Sequence, residues 1–375
     1  MSVVPRTTIP LYKVHMPPAA AGAVAEVLAS GQLADGEMAR RFEAALQEYL
    51  GNPNLITCAD EASALVLALY LAGVRPGDEV LASPMACLAV NMPALNLFAR
   101  VIWCDIDPRT GNLDAAEIAR RVTPQTKAVL YAHWAGDVAD IDAINAAARR
   151  CGLKVVEDAG EALGAEYGGR KVGNTGSDYV VFSFYANRHL TTGEGAALTF
   201  ADPAEWGRAR WLKRFGIHLP TFRDNLGEIN PASDIPVAGY NTYLNNVAAA
   251  VGLSQMPHLE GIVRRHRANG LFYDAALKDI AGIERLVRLP AAQSAYWVYT
   301  LLADRRDDLL RALRGRGVQA SRVHLRNDSY SCFGTGRVDY PGVETFAGRC
   351  LSIPCGWWVT EEDRGYVADC LRKGW

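Results

Sequence analysis

The sequence has no hydrophobic run long enough to cross a membrane, because no stretch approaches the roughly 18 to 20 apolar residues that span a bilayer. It also has no excess of positive charge, since 39 Lys and Arg residues face 41 Asp and Glu residues and give a formal net charge of −2. A chain without a global positive field does not attract nucleic acid or anionic membranes. A small molecule is therefore the expected partner.

The eight cysteines form no CxxC pair and show no Cys/His spacing typical of a metal site. Their scatter is typical of small buried hydrophobic residues in a reducing compartment, and no metal is predicted. Residues 1–18 contain no long apolar run and no cleavage site for secretion. These absences predict a soluble, cytoplasmic protein.

Half of the residues are hydrophobic and 21% are charged, which is typical of a globular protein with a large apolar core. After two predicted helices within residues 18–50, short apolar strands alternate with helices. This alternation indicates a mostly parallel sheet covered on both faces, with the functional residues at strand ends. The predicted strands are 54–58, 79–82, 101–104, 128–132, 154–157, 179–184 and 196–200, and the predicted helices between them are 61–72, 90–97 and 141–151.

The C-terminal third has a different pattern. A long loop is predicted at 220–236, which is rich in Pro, Gly and Asn, and an Ala-rich helix at 245–257 follows it. We therefore predict a large domain at 1–240, which includes the N-terminal helices, and a small α+β domain at 241–375 with a linking helix. The elements predicted for the small domain are strands 296–302 and 321–323 and helices 307–316 and 361–372.

One segment, from Val155 to Phe200, carries a specific pattern: VVEDAGEALGAEYGGRKVGNTGSDYVVFSFYANRHLTTGEGAALTF. It resembles the DegT/DnrJ/StrS family of sugar aminotransferases, which are pyridoxal-phosphate enzymes of fold type I. The resemblance implies an α/β fold, with a large domain built on a mostly parallel seven-stranded sheet and a small α+β C-terminal domain. Further similar segments extend over nearly the whole chain and read GVRPGDEVLASPM, DIDPRTGNLD, GYNTYLNNVAAAVGLSQM and VHLRND.

The resemblance implies roles for several polar residues. Asp158 matches the aspartate that pairs with the cofactor's pyridinium nitrogen, and Ser183 matches the serine that holds its phosphate. Asn241 matches a residue that reaches the phosphate of the partner subunit, which implies a homodimer, and Gly193–Gly195 match the turn after the catalytic position. Independently of any family, an aspartate that ends a buried strand needs a cation nearby, although such a residue is often only a helix cap or a turn residue.

The position of the family's catalytic lysine is occupied by Arg188. An imine with the cofactor requires a neutral amine, which a lysine supplies when burial lowers its pKa. A guanidinium has a pKa above about 12 and stays protonated, so it forms no imine and does not act as a general base. Ordinary transamination is therefore expected to fail, and no covalently bound cofactor is predicted.

Other cofactor positions also depart from the family pattern. At the helix N-terminus that holds the phosphate, Glu61 next to Asp60 opposes an anion, and Ala62 removes a hydroxyl donor. Leu88 and its neighbours provide no aromatic ring to stack on the pyridine. Glu161 would place a carboxylate beside the cofactor's phenolate oxygen. Pyridoxal or pyridoxamine phosphate is possible at this site but disfavoured.

These departures lead to a hypothesis in which Arg188 replaces the pyridinium as the partner of Asp158. Three functions remain open. The first is a cofactor-independent enzyme, or a pseudoenzyme paired with an active aminotransferase. The second is an enzyme that holds pyridoxamine phosphate non-covalently, similar to the 4-keto-6-deoxyhexose 3-dehydratases, in which a histidine replaces the catalytic lysine. His189 is the catalytic candidate for that role, although it lies one residue after the lysine position. The third is an engineered lysine-to-arginine form of an ordinary sugar aminotransferase, which the changes at Ala62 and Glu161 do not favour.

A substrate cleft is implied by the residues that surround these positions in the family. His324 alone would more often be a packing histidine, but a His/Arg/Asn/Asp cluster within one short loop favours function. The predicted cleft residues are His133, Trp134, Tyr185, His324, Arg326, Asn327 and Asp328.

Overall fold

The computed structural model describes residues 8–334 and 339–375. Its largest element is a seven-stranded sheet with the strand order β1-β9-β8-β5-β4-β2-β3. Strand β9 runs antiparallel to β1 and β8, and the other neighbouring pairs are parallel. The strands up to this point in the chain are β1 (Leu55–Cys58), β2 (Glu79–Ala82), β3 (Arg100–Trp103), β4 (Thr126–Ala132), β5 (Lys154–Asp158), β6 (Glu166–Tyr167), β7 (Arg170–Lys171), β8 (Tyr179–Ser183) and β9 (Ala196–Phe200).

Helices cover both faces of this sheet because alternate strand residues point to opposite sides and are apolar on both. Helices α3, α4 and α7 contribute to the core on one face, whereas α2 and α6 contribute to the cores on the other. Several helices begin at an aspartate, as at α6, where Asp140 accepts a hydrogen bond from the Ala143 amide at 3.0 Å. The helices are α1 (Ala19–Ser30), α2 (Glu37–Leu50), α3 (Glu61–Leu71), α4 (Leu88–Asn96), α5 (Ala115–Arg121), α6 (Ile141–Arg150), α7 (Pro203–Leu212) and α8 (Leu219–Phe222).

The 31-residue helix α9 (Asn246–Ala276) joins the two halves of the molecule. It begins at Asn245, whose side chain accepts a hydrogen bond from the Ala248 amide at 2.8 Å. Its first half packs against α1, α2 and the core of the large sheet, and its second half enters the C-terminal core through Tyr273.

The C-terminal layer contains a three-stranded antiparallel sheet in the order β10-β12-β13. A short strand, β11, pairs instead with β6, so a second small sheet connects the two layers. Within the described ranges, no helix combines the length and the apolar character needed to cross a bilayer. The elements of this layer are β10 (Ile283–Arg285), β11 (Ala292–Gln293), β12 (Tyr299–Ala303), α10 (Arg306–Gly315), α11 (Pro341–Arg349), β13 (Cys350–Ile353) and α12 (Glu361–Arg372).

The predicted fold class, an α/β fold with a mostly parallel seven-stranded sheet and a smaller C-terminal α+β part, is confirmed. The two N-terminal helices and all seven strands predicted for the large sheet are present, with ends that differ by at most two residues. The domain boundary placed after residue 240 stays a prediction.

Two predictions about the C-terminal part are wrong. The helix predicted to end at Pro257 continues to Ala276, because buried residues such as Leu259 and Val263 keep one face of the helix packed on the core beyond the proline. Residues 321–323 form no strand beyond one bridge between Ser321 and Ser352, since Val323 adopts a left-handed φ of 66° that ends extended pairing. The third strand of that sheet is β13, which the sequence pattern did not reveal.

Two glycines of α9 provide a matched test of its packing. Gly261→Ala should stabilise the protein by about 0.5–1 kcal/mol, because helix propensity improves and an added Cβ would lie 4.0 Å from its nearest neighbour. Gly270→Ala should destabilise it, because the Cβ would lie 2.4 Å from the ring of Tyr296. Chemical denaturation of both variants measures the two signs, and a stabilised Gly270→Ala would contradict the packing of α9 against Tyr296.

Candidate functional site

A cavity of about 540 Å³ opens at the carboxyl edge of the large sheet. Strands β1 and β8 end there, and so does β5, which brings residues from three separate segments together. The sequence pattern predicts functional residues at this carboxyl edge of the sheet. The cavity is lined by Ala59, Asp60, Glu61, Ala62, Cys87, Ala89, Ser183, Tyr185, Arg188 and Glu194.

Two acidic side chains, Asp158 and Glu61, face each other beside this cavity. Asp158 ends β5 with 5% of its surface exposed, and its Oδ1 accepts a hydrogen bond from the Gly160 amide at 3.0 Å. Burial and the nearby charge of Glu61 raise the pKa of Asp158 well above its usual range. Glu61 Oε1 is buried and receives no hydrogen bond from the described residues when both acids are ionised. A proton on Asp158, which the raised pKa favours, would be donated in a hydrogen bond to Glu61.

Glu161 is held by three donors from three segments. Its Oε1 lies 3.4 Å from Arg188 Nη1 and 2.8 Å from His324 Nε2, and its Oε2 accepts from the Ala135 amide at 2.9 Å. Burial alone would raise the pKa of Glu161, but His324, Arg188 and the amide together hold it below its usual range. Glu161 is therefore an ionised and firmly positioned carboxylate.

An aromatic wall supports the guanidinium of Arg188. The Cζ atom of Arg188 lies 4.6 Å from the centroid of the Trp297 ring, a cation–π contact. Tyr12 stacks on Trp297 with centroids 4.9 Å apart, and the Trp297 indole donates to the Asn187 carbonyl at 2.7 Å. The orientation of Arg188 is thus set by packing as well as by charge.

The hypothesis that Arg188 pairs with Asp158 is wrong in its geometry. Arg188 forms its ion pair with Glu161, which follows Asp158 in the loop after β5. This position in the loop brings the Glu161 carboxylate nearer to the guanidinium. The charge of Asp158 acts on Arg188 more weakly than those of Glu161 and Glu61. Asp158 is left with Glu61 as its principal neighbour.

The N-terminus of α3 already carries an anion of its own. Asp60 accepts hydrogen bonds from the Ser63 amide at 2.8 Å and from the Ser63 hydroxyl at 2.7 Å. Ala62 lines the cavity without a hydroxyl group. Ser183 ends β8 and lines the same cavity, and its hydroxyl oxygen accepts a hydrogen bond from the Tyr185 amide at 3.4 Å. An incoming phosphate would therefore compete with Asp60 for this helix terminus.

Two predicted histidines do not reach the cavity. His189 lies 3.0 Å from the carbonyl oxygen of Ala295 through Nε2, and its ring packs on His266 with centroids 4.5 Å apart. Burial lowers the pKa of His189 well below its usual range, so it is neutral. His133 is fully buried on Glu157, 2.8 Å away, within the core. The two rings point into packed surroundings, which corrects their assignments to catalysis and to the cleft.

The other predicted cleft residues divide into two groups. Tyr185 lines the cavity and is half exposed, and His324 reaches the site through Glu161. Arg326 instead pairs with Asp328 and Glu344, and the Asn327 amide donates to the Pro84 carbonyl at 2.8 Å. The contacts of this short loop are therefore structural, since they join it to neighbouring segments of the protein.

Three further assignments concern residues at the margins of the site. The indole of Trp134 donates to Thr300 at 3.2 Å, and its ring contacts that of His324 edge-on at 5.6 Å between centroids. Leu88 is exposed at the start of α4. Asn241 is exposed and lines a separate hollow with Ala62 and Thr242. Its predicted contact with a partner subunit stays a prediction.

Sequence reasoning missed two aromatic residues and one acid of the site. Trp297 lies inside a predicted strand, and Tyr12 lies in a segment without periodicity, so neither carried a functional signal. Glu194 lies within TTGEGA, the segment that carries the family pattern, and could have been found there.

Comparison with known proteins agrees with this architecture: a seven-stranded sheet, a smaller α+β layer and a cavity at the sheet edge define an aminotransferase scaffold of fold type I. The chain belongs to the DegT/DnrJ/EryC1/StrS aminotransferase family, whose model matches residues 17–372. The crystal structure of the sugar aminotransferase CalS13 from Micromonospora echinospora superposes with a TM-score of 0.93 and 35% identity, covering 98% of this chain and 100% of that one.

Curated relatives extend this similarity. The chain is 32% identical over 354 residues to the erythromycin biosynthesis sensory transduction protein EryC1 of Saccharopolyspora erythraea, with 93% of each chain covered. It is 32% identical over 333 residues to the GDP-perosamine synthase of Caulobacter vibrioides, covering 84% of this chain and 86% of the relative. The family of this chain is therefore sugar-aminotransferase-like.

Arg188→Ala should destabilise the protein by several kcal/mol, about 3–5 for a broken buried pair, because Glu161 loses its guanidinium partner. Arg188→Lys keeps the charge and should cost less. Chemical denaturation measures both, and Arg41→Ala, which breaks an exposed pair with Glu37, is a matched control expected to cost about 1 kcal/mol or less.

A double-mutant cycle identifies the partner of Arg188. Adding Glu161→Gln to Arg188→Ala should recover more stability than adding Asp158→Asn, because the unpaired buried charge is then removed. A larger coupling with Asp158 than with Glu161 would contradict the observed pairing.

Proposed function

We propose that this chain is a sugar-aminotransferase-like protein of a nucleotide-sugar or natural-product biosynthetic pathway that has lost ordinary transamination and works without covalently bound pyridoxal phosphate. The observation that carries the proposal is the buried Arg188–Glu161 ion pair, with Arg188 at the position where the family resemblance places the catalytic lysine. A permanently charged guanidinium forms no imine with the cofactor.

The residues around the cavity do not fit the cofactor's phosphate. In the family the phosphate lies at a helix N-terminus, but here Asp60 already accepts the hydrogen bonds from Ser63 at that place. Ala62 contributes no donor, and Glu61 and Glu194 add negative charge to the lining. A phosphate dianion would meet repulsion on several sides.

The residue expected beside the cofactor's phenolate oxygen does not fit the cofactor either. Glu161 is a carboxylate fixed by Arg188 and His324, at a position where the family resemblance places a Gln or His. What the site's own residues can do is hold a proton on Asp158 beside Glu61 and present an ionised carboxylate on Glu161. This supports chemistry or binding that depends on acids rather than on an imine.

The alternative with non-covalent pyridoxamine phosphate lacks a histidine in the right place, because His189 packs on Ala295 and His266. A pseudoenzyme that partners an active aminotransferase would have the same site features as the main proposal but would catalyse no reaction itself.

The pathway is inferred from relatives named for spore coat polysaccharide biosynthesis, erythromycin biosynthesis and GDP-perosamine synthesis. A cytoplasmic location and a small-molecule substrate belong to the same proposal.

The purified protein should be colourless and should acquire no stable visible band when pyridoxal phosphate is added and the sample is desalted. Borohydride reduction followed by peptide mass spectrometry should detect no cofactor adduct. Arg188→Lys should not restore aminotransfer, because Glu61, Ala62 and Glu161 still oppose the cofactor. The sugar aminotransferase CalS13 treated identically is the positive control.

Two results would decide against this reading. Strong aminotransfer by Arg188→Lys would mean that one residue alone disables an intact enzyme. A persistent absorbance of free cofactor in the wild type, without an adduct, would favour the non-covalent pyridoxamine-phosphate enzyme instead.

We also propose a homodimer in which Asn241 faces the partner's site, as the family resemblance implies. Asn241 is exposed at the rim of a hollow beside the N-terminus of α3, which leaves it accessible to a second chain. Sedimentation at micromolar concentration should give a dimer. A monomer would refute this part of the proposal, and co-purification with a different aminotransferase chain would favour the pseudoenzyme.

A further inference from the structure

We propose that the cavity binds a protonated primary amine of its ligand between Glu61 and Asp158. The inference rests on the proposed function, because a cofactor's pyridinium would otherwise take the same carboxylates. No imine is involved: the ammonium group is held by charge and hydrogen bonds alone.

The first support is an acceptor without a donor. Glu61 is only 8% exposed and lines the cavity, and its Oε1 receives no hydrogen bond from the described residues. Asp158 Oδ1 accepts a hydrogen bond from the Gly160 amide at 3.0 Å. Gly160 allows this arrangement, because a Cβ there would lie 2.2 Å from Glu61 Oε1. Two adjacent buried carboxyl groups need a donor between their oxygens, which a proton on Asp158 supplies before binding and the N–H groups of a ligand ammonium would supply after it.

The second support is the charge of the cavity. Its lining carries three carboxylates, on Asp60, Glu61 and Glu194, and one guanidinium, on Arg188, which is committed to Glu161. Burial, Asp60 and Glu61 raise the pKa of Glu194, which reflects the same negative surroundings. A ligand cation would lower the electrostatic energy of this cavity, and an anion would raise it.

The third support concerns which cation fits. Within residues 8–334 and 339–375, no group of three or more His, Cys, Asp or Glu side chains is placed to hold a metal ion. A cationic nitrogen with N–H groups needs only the two carboxylates, and it could belong to a ligand ammonium or to a pyridinium ring. The ammonium is favoured, because Asp60 caps the helix terminus that a ring phosphate would need.

Binding of the amine should release a proton. The groups that face Asp158 are Glu61 from α3, Glu161 from the loop after β5, and Arg188 from the loop after β8. Before binding, the raised pKa of Asp158 favours a proton on that carboxyl; the ammonium keeps its own protons and displaces that one to solvent. Affinity should therefore rise with pH through the raised pKa of Asp158 and fall again once the amine itself deprotonates.

Titration calorimetry on the full chain can test this with glucosamine and glucose, which differ by one amino group. We expect glucosamine to bind about tenfold or more tightly, as for a charge-assisted hydrogen bond. Repeating the titration in two buffers of different ionisation enthalpy should show proton release. Glu61→Gln and Asp158→Asn should each reduce the preference for glucosamine about tenfold. Glu26→Gln, an exposed change on α1, should leave it unchanged.

Circular dichroism confirms that each variant is folded before titration. Equal affinity for glucosamine and glucose, or a preference that survives Glu61→Gln, would overturn the ammonium site. The proposed function would not be affected by that result, because it is tested separately by the absence of a visible cofactor band. A parallel titration with pyridoxine 5′-phosphate, which has the pyridinium ring and the phosphate but no amino group, separates the two sources of a cationic nitrogen. Tight binding of that compound, lost in Glu61→Gln, would overturn both the ammonium site and the cofactor-free function.

Discussion

The buried carboxylate of Glu161 is the contact on which the site depends. It connects the loop after β5 with Arg188 from the loop after β8, with His324 from the C-terminal layer, and with the backbone of Ala135. A buried ion pair contributes little net stability when it forms, yet it costs several kcal/mol when one member is removed. The pair therefore fixes geometry more than it adds stability, and it keeps Arg188 oriented at the cavity.

That pairing also explains why the rest of the cavity is acidic. Because the guanidinium pairs with Glu161, the carboxyl groups of Glu61, Asp158 and Glu194 form no ion pair with another described residue. Burial and the charge of Glu61 raise the pKa of Asp158, which favours a proton on that carboxyl. This negative lining is the basis of the proposed ammonium site.

Much of the fold could be predicted from the sequence, because buried parallel strands such as β4 and β8 are near-continuous apolar runs between helices. The geometry of the candidate site was harder to predict from the sequence. The importance of Arg188, Glu61 and Glu161 could be read from local motifs, but their pairing depends on loop geometry, and the guanidinium selected Glu161 rather than Asp158. The continuation of α9 beyond Pro257 was hidden for a related reason: local propensity favours a break, and tertiary packing of Leu259 and Val263 overrides it.

The length of α9 has a consequence for how the protein loses its structure. The helix contributes Ala249, Leu259 and Val263 to the core of the large sheet and Tyr273 to the core of the C-terminal layer. Neither core can open without removing part of the packing surface of the other, and the pairing of β11 with β6 adds a second connection. The two layers should therefore melt in one calorimetric transition, with amides in the middle of α9 exchanging only through global unfolding.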